Sequence, residues 1–157
     1  MIHIAICDDE KYMSDHIKTL VSDFFRKKNR EIRLRIFSSG EELLSGGRQI
    51  DICFLDIQMK GMDGMETARR LSADKFQGFL IFITVLKEMV FSSFEVQAYD
   101  YLLKPVEEKQ FEKTMERLYA SMRSAGEDSM LIQKGYEGRI VQKDEIIFCE
   151  IIDRKYI

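Results

Sequence analysis

Ile50-Asp51-Ile52-Cys53-Phe54-Leu55-Asp56-Ile57-Gln58-Met59-Lys60-Gly61-Met62-Asp63-Gly64-Met65 is the stretch on which the fold turns. The apolar run from Ile50 to Leu55 is the mark of a buried strand, and it stops at an acid, Asp56. The turn-rich Lys60-Gly61-Met62-Asp63-Gly64 follows, and Met65, Ala68 and Leu71 then recur at helical spacing. Strand, polar rim and helix come as one unit.

The unit repeats on both sides. Upstream, Ile2 to Cys7 reads as a strand, and Met13, Ile17, Leu20, Val21 and Phe24 form a helical stripe. Ile32, Leu34 and Ile36 alternate with Arg33 and Arg35 as in a half-exposed strand, and Ser39-Gly40-Glu41-Glu42 offers a capping box to a helix carrying Leu43 and Leu44. Downstream, Phe79 to Val85 predicts a fourth strand, Lys87 to Ala98 a weaker helix, and Tyr101 to Leu103 a fifth strand. Phe111, Met115, Leu118, Tyr119 and Met122 complete the series with a last helical stripe. Strict alternation implies an α/β domain over residues 1–122, a five-stranded parallel sheet covered by helices on both faces.

A small, polar stretch at 123–129 predicts a linker, and the pattern after it changes. Met130 to Lys134, a Gly135-Tyr136-Glu137-Gly138 turn, Arg139 to Val141 and the run Ile146 to Ile152 make residues 130–157 a short β-rich C-terminal segment. A few strands bury too little to stand alone, so the segment reads as the start of a truncated second domain. A tail folded back on the first domain, or exchanged with a neighbouring molecule, is the alternative.

Composition narrows the function classes. With 157 residues, 45% hydrophobic and 32% charged, the chain is ordinary for a globular protein of one domain and a remnant. A net charge of -3 supplies no general attraction to nucleic acid. Cys7, Cys53 and Cys149 are far apart, lie in apolar stretches and lack metal-site spacing, which suits buried thiols in a reducing compartment. With no basic leader and no apolar run near roughly 18 residues, a cytoplasmic location and no membrane contact are expected.

In an open parallel sheet, ligands bind outside the carboxyl ends of the strands. The residues there are Asp8 and Asp9 after the first strand, Asp56 after the third, Thr84 at the fourth, and Lys104-Pro105 after the fifth. Clustered carboxylates raise one another's pKa unless a divalent cation restores the charged form, and an all-oxygen ligand set suits Mg2+. Lys104 and the Thr84 hydroxyl are placed to neutralise and hydrogen-bond a phosphoryl group, and Asp56, mid-rim on the central strand, is the favoured nucleophile. Singly, an acid pair is most often a solvated turn and a Lys-Pro pair a loop; their order and spacing carry the reading.

Asp8-Asp9, Phe54-Leu55-Asp56-Ile57-Gln58-Met59, Gly61-Met62-Asp63-Gly64, Thr84 and Lys104-Pro105 resemble the signature of response regulator receiver domains. The resemblance covers about residues 1–122 and implies a flavodoxin-like doubly wound sheet in a regulator that is not an enzyme. It implies that Asp9 and Asp56, with Asp8 close by and the Gln58 main-chain carbonyl, hold Mg2+. Asp56 would accept phosphate from a sensor histidine kinase, and Lys104 would pair with the phosphorylated Asp56 across a cis Lys104-Pro105 bond. Thr84 and Tyr101 would be the switch pair, the hydroxyl moving toward phosphate and the ring turning inward. A homodimer through the face bearing the fourth and fifth predicted helices and the fifth strand is a family habit.

The departures are specific. Lys60 stands where the family commonly has proline, making the loop less rigid and more basic. Val85 follows Thr84 where a small residue is usual, so narrower access to Asp56 and slower transfer are expected. By resemblance Gln58 and Leu86 flank the path of the hydrolytic water, which an apolar Leu86 cannot orient, so a long-lived phosphoryl group is expected. The rival account has Leu86 simply capping the next helix.

The run Phe94 to Pro105 is similar to receivers joined to LytTR-type DNA-binding domains, and the tail around Asp144-Glu145-Ile146-Ile147-Phe148-Cys149-Glu150 resembles the opening of such a domain. Transcription control through a largely missing output domain is therefore the expectation, with a stand-alone receiver acting as a protein-binding relay as the alternative. An Asp-nucleophile hydrolase would want a second acid where Gln58 stands. A flavin module would want a phosphate loop rather than Asp8-Asp9-Glu10.

Overall fold

The computed structural model describes residues 1–47, 49–85, 96, 98–126, 129–134 and 137–142, with backbone alone from residue 124 onward. The elements are β1 (Ile2–Cys7), α1 (Lys11–Lys27), β2 (Ile32–Phe37), α2 (Gly40–Gly46), β3 (Ile52–Asp56), α3 (Gly64–Ala73), β4 (Phe79–Thr84), β5 (Asp100–Leu103), α4 (Glu108–Gly126), β6 (Ser129–Lys134) and β7 (Glu137–Gln142). The first five strands form one parallel sheet in the order β2-β1-β3-β4-β5, the flavodoxin-like winding expected from the alternation.

Alternate strand residues go to opposite faces, and in β1, β3 and β4 both faces are buried, which is why these strands read as continuous apolar runs, while the edge strand β2 keeps its half-exposed alternation. Ala5, Cys7, Cys53, Leu55, Leu80 and Phe82 pack with Leu43 of α2 and with Met65, Ala68 and Leu71 of α3. The intervening residues Ile4, Ile6, Ile52, Phe54, Ile81 and Ile83 are buried as well. On that side the Phe54 ring stacks on Phe111 of α4 at 5.8 Å between centroids, while Ile17, Val21 and Phe25 are the buried stripe of α1.

Local chemistry sets the element ends near the site. Ser39 caps α2 by accepting the Glu42 N–H, and the return arm of the expected box lands one residue early, with Ser38 N–H donating to Glu42 Oε2 at 2.9 Å. Asp63 caps α3 by accepting the Glu66 N–H at 2.8 Å. β3 begins two residues later than the apolar run suggests: the Asp51 main chain already bonds His3 and Phe79, but the His3 N–H goes to the Asp51 side chain at 2.7 Å instead of to a backbone carbonyl.

The expected linker at 123–129 is helical over its first four residues. α4 continues to Gly126, four residues past Met122, and β6 starts at Ser129. Met122, Arg123 and Ala125 are good helix formers and no proline interrupts them, so a stretch that reads as small and polar propagates the helix until glycine. The chain divides into two compact units, Met1–Glu116 and Arg117–Ile157. In the second, β6 and β7 form an antiparallel hairpin in which Lys134 faces Glu137, so two residues of the expected four-residue turn belong to the strand. Leu86, nearly all of the expected helix at Lys87 to Ala98, Cys149 and the run Ile146 to Ile152 lie outside the described residues. Among the described residues no helix is long and apolar enough to cross a membrane.

Candidate functional site

The carboxyl ends of β1, β3, β4 and β5 bring the rim residues together as their order predicts. Asp56 is the last residue of β3 and only 2% exposed. One oxygen from each of Asp8, Asp9 and Asp56 lies within 4.8 Å of the other two. Lys104, just past β5, reaches in between them, its Nζ 2.9 Å from Asp56 Oδ2, 3.0 Å from Asp8 Oδ2 and 3.7 Å from Glu10 Oε1. The Lys104-Pro105 bond is cis, as the resemblance implies.

The electrostatics are those of a crowded, half-neutralised cluster. Burial pushes the Asp56 carboxyl above the ordinary range, the Lys104 contact and the Gln58 N–H pull it down, and the Asp8 charge adds to the rise. For Lys104 burial alone would lower the pKa, but Asp56 and Asp8 outweigh it and hold the ammonium above the usual lysine value. Asp8 takes the Glu10 N–H on Oδ1 at 2.8 Å. Its buried Oδ2 faces Lys104 as an ion pair but has no aligned hydrogen-bond donor. An under-satisfied buried oxygen among three clustered carboxylates, with no nitrogen or sulfur donor in the group, fits a hard divalent cation such as Mg2+.

Thr84 ends β4 one residue beyond Ile83, which pairs with Asp56, and is 1% exposed. Its carbonyl accepts the Lys104 N–H at 2.9 Å, which anchors the lysine's backbone beside the rim. Tyr101 pairs with Phe82 and is half-buried against the apolar cluster that contains Phe82 and Val96. Val85 is 54% exposed, so its bulk lies at the surface of the rim rather than in the core. For Gln58 the structure shows the N–H, donating to Asp56 Oδ1 at 3.2 Å, and an exposed side chain. Cys7 and Cys53 are buried free thiols, and burial pushes the Cys7 thiol up to about 12, so neither is a nucleophile.

Several contributors were given no such role from sequence. Glu10 stands at the far side of Lys104, and Glu41 of α2 accepts the Met62 N–H at 3.2 Å. A Cβ at Gly64 would run into the Asp56 carbonyl oxygen, so only glycine lets α3 start this close to the strand end. The Asp8-Asp9-Glu10 run and the Asp63-Gly64 pair were the available signals; the Glu41 contact had none. An open cleft of about 310 Å³, lined by Asp8, Asp9, Lys11, Ser14, Asp15, Ile36 and Ser38, adjoins the trio.

The chain is 33% identical over 120 residues to the transcriptional regulatory protein BtsR of Salmonella typhi, covering 75% of this chain and 48% of that protein. It is 26% identical over 162 residues to the sensory transduction protein LytT of Bacillus subtilis, covering 95% of this chain and 65% of that protein. The chain thus spans about half to two-thirds of the length of these relatives. Its fold matches the response regulatory domain of protein mrkE from Klebsiella pneumoniae with a TM-score of 0.70 at 25% identity, over 78% of this chain and 99% of that one. A sequence profile of the response regulator receiver domain matches residues 4–116, and on that match the chain belongs to the response regulator receiver domain family.

Proposed function

We propose that the chain is the phosphoacceptor part of a two-component transcription regulator, with Asp56 as the residue that takes the phosphoryl group. The observation that carries this is the buried Asp56 carboxylate at the carboxyl end of the central strand, held by Lys104 and crowded by Asp8 and Asp9. An Asp56 oxygen attacks phosphorus, the P–N bond of a sensor kinase phosphohistidine breaks, and the imidazole leaves with the electron pair and takes up a proton. Lys104, freed from part of its pairing with Asp56 Oδ2, then faces the new phosphoryl oxygens.

Asp8, Asp9 and Asp56 would hold Mg2+, with the Gln58 carbonyl as a further ligand. When bound, the ion would offset the negative charge gathered on the phosphoryl oxygens. Thr84 and Tyr101 would act as the switch pair, the buried hydroxyl engaging the phosphoryl group and the half-buried ring following it.

Output is proposed through a LytTR-type DNA-binding domain beginning in the β-rich segment. The match to LytT covers 95% of this chain and so runs beyond the receiver, and β6 and β7 supply the strands such a start requires. DNA is then a partner of the longer protein, a homodimer is its active form, and the cytoplasm is where kinase and DNA are met. Intact mass after acetyl phosphate with Mg2+ tests the acceptor: one adduct of about 80 Da is expected in wild type, and none in Asp56→Asn or with EDTA. An adduct that survives Asp56→Asn would refute the assignment.

A further inference from the structure

The loop between β3 and α3 is tied to carboxylates through alternate main-chain amides. Gln58 N–H donates to Asp56 Oδ1 at 3.2 Å, Lys60 N–H to Asp9 Oδ2 at 3.1 Å, and Met62 N–H to Glu41 Oε1 at 3.2 Å. Gly61, at φ +80°, supplies the left-handed turn that lets the next amide face back toward α2. Two of the three acceptors belong to the trio that would hold the ion. The middle contact needs a donor at residue 60, which proline in this place would remove.

We propose that the Lys60 main-chain N–H is a positioning group for the divalent cation, holding the Asp9 carboxylate in the orientation that the ion requires. The proposal rests on the reading that Asp8, Asp9 and Asp56 form a Mg2+ site. Asp8 and Asp56 are buried and each faces Lys104, so their carboxylates are already fixed. Asp9 is half-buried and lies in the more open part of the rim. A half-exposed carboxylate left loose gives up rotamer freedom when it captures an ion, and one already held by an amide does not. An ionised carboxylate has about four acceptor positions, so one N–H on Oδ2 leaves Oδ1 and a second lone pair of Oδ2 for the metal. The exposed Lys60 ammonium contributes little in comparison, because water and salt screen it.

Calorimetric titration with Mg2+ alone, on wild type, Lys60→Ala and Lys60→Pro, separates the amide from the side chain. Lys60→Ala keeps the N–H and should bind within about twofold of wild type, whereas Lys60→Pro should bind roughly three- to tenfold more weakly, because a loose Asp9 side chain must then be ordered by the ion itself. Equal affinities in all three, or equal losses in the two variants, would overturn the proposal. Absence of Mg2+ binding in wild type would instead refute the metal reading beneath it. Thermal unfolding in EDTA reports whether Lys60→Pro keeps its fold. If it does not, hydrogen exchange of the Lys60 amide in wild type decides: slow exchange retained at Mg2+ saturation supports a positioning contact. Protection lost on saturation shows an amide displaced by the ion, and overturns it.

Discussion

Asp56 is a carboxylate whose burial is only partly offset by its cation. Its pKa is raised, chiefly by desolvation, so the folded chain takes up a proton at this site more readily than the unfolded one. Between the unfolded and the raised folded value the native state binds more protons, and stability therefore falls as pH rises through that window. The penalty persists at neutral pH. In EDTA, Asp56→Asn should accordingly melt higher than wild type at pH 7, and the difference should close as pH drops below the ordinary aspartate range. Melting scans of the two proteins from pH 3 to 8 check this; an Asn variant that melts lower at pH 7 would show that the Lys104 pairing outweighs desolvation. The same balance explains why Lys104 is held between Asp8 and Asp56: removing either acid leaves the lysine a partner, while removing the lysine leaves two buried acids facing each other.

At the scale of elements, the start of α3 is what fixes the Asp56 end of β3. Gly64 donates its N–H to the Ile57 carbonyl at 2.9 Å and has no room for a Cβ against the backbone of Asp56 and Ile57. Backbone cannot swing aside as a side chain can. Gly64→Ala should cost about 1–3 kcal/mol of stability and slow phosphorylation by shifting the acceptor. Denaturant unfolding and an acetyl phosphate time course measure both, and wild-type values in both would show that the loop yields freely. Strands and rim acids were legible because burial on both faces forces apolar runs, and the first polar residue after each run falls at the carboxyl edge. The loop's ties were not, since Lys60 and Met62 contribute only backbone N–H groups, which any residue but proline carries. Nor was the far end of α4, where Ser124, Ala125 and Gly126 suit a helix terminus as well as a linker.

Over the whole molecule, a parallel sheet in the order β2-β1-β3-β4-β5 makes one edge collect residues from positions 8, 9, 56, 84 and 104. No local segment contains the site. The receiver match ends at residue 116, the first compact unit closes at Glu116, and the chain goes on into β-rich sequence that the LytT match also covers. That organisation agrees with the proposal that a chemical event at Asp56 is read by sequence outside the receiver. Its most direct test is to locate the phosphoryl group. The chain is treated with acetyl phosphate and Mg2+, reduced with borohydride so that an acyl phosphate becomes an alcohol, and sequenced by tandem mass spectrometry. The account predicts homoserine at Asp56 alone, abolished by EDTA; homoserine at Asp8 or Asp9 instead, or reduction that does not depend on the metal, would contradict it.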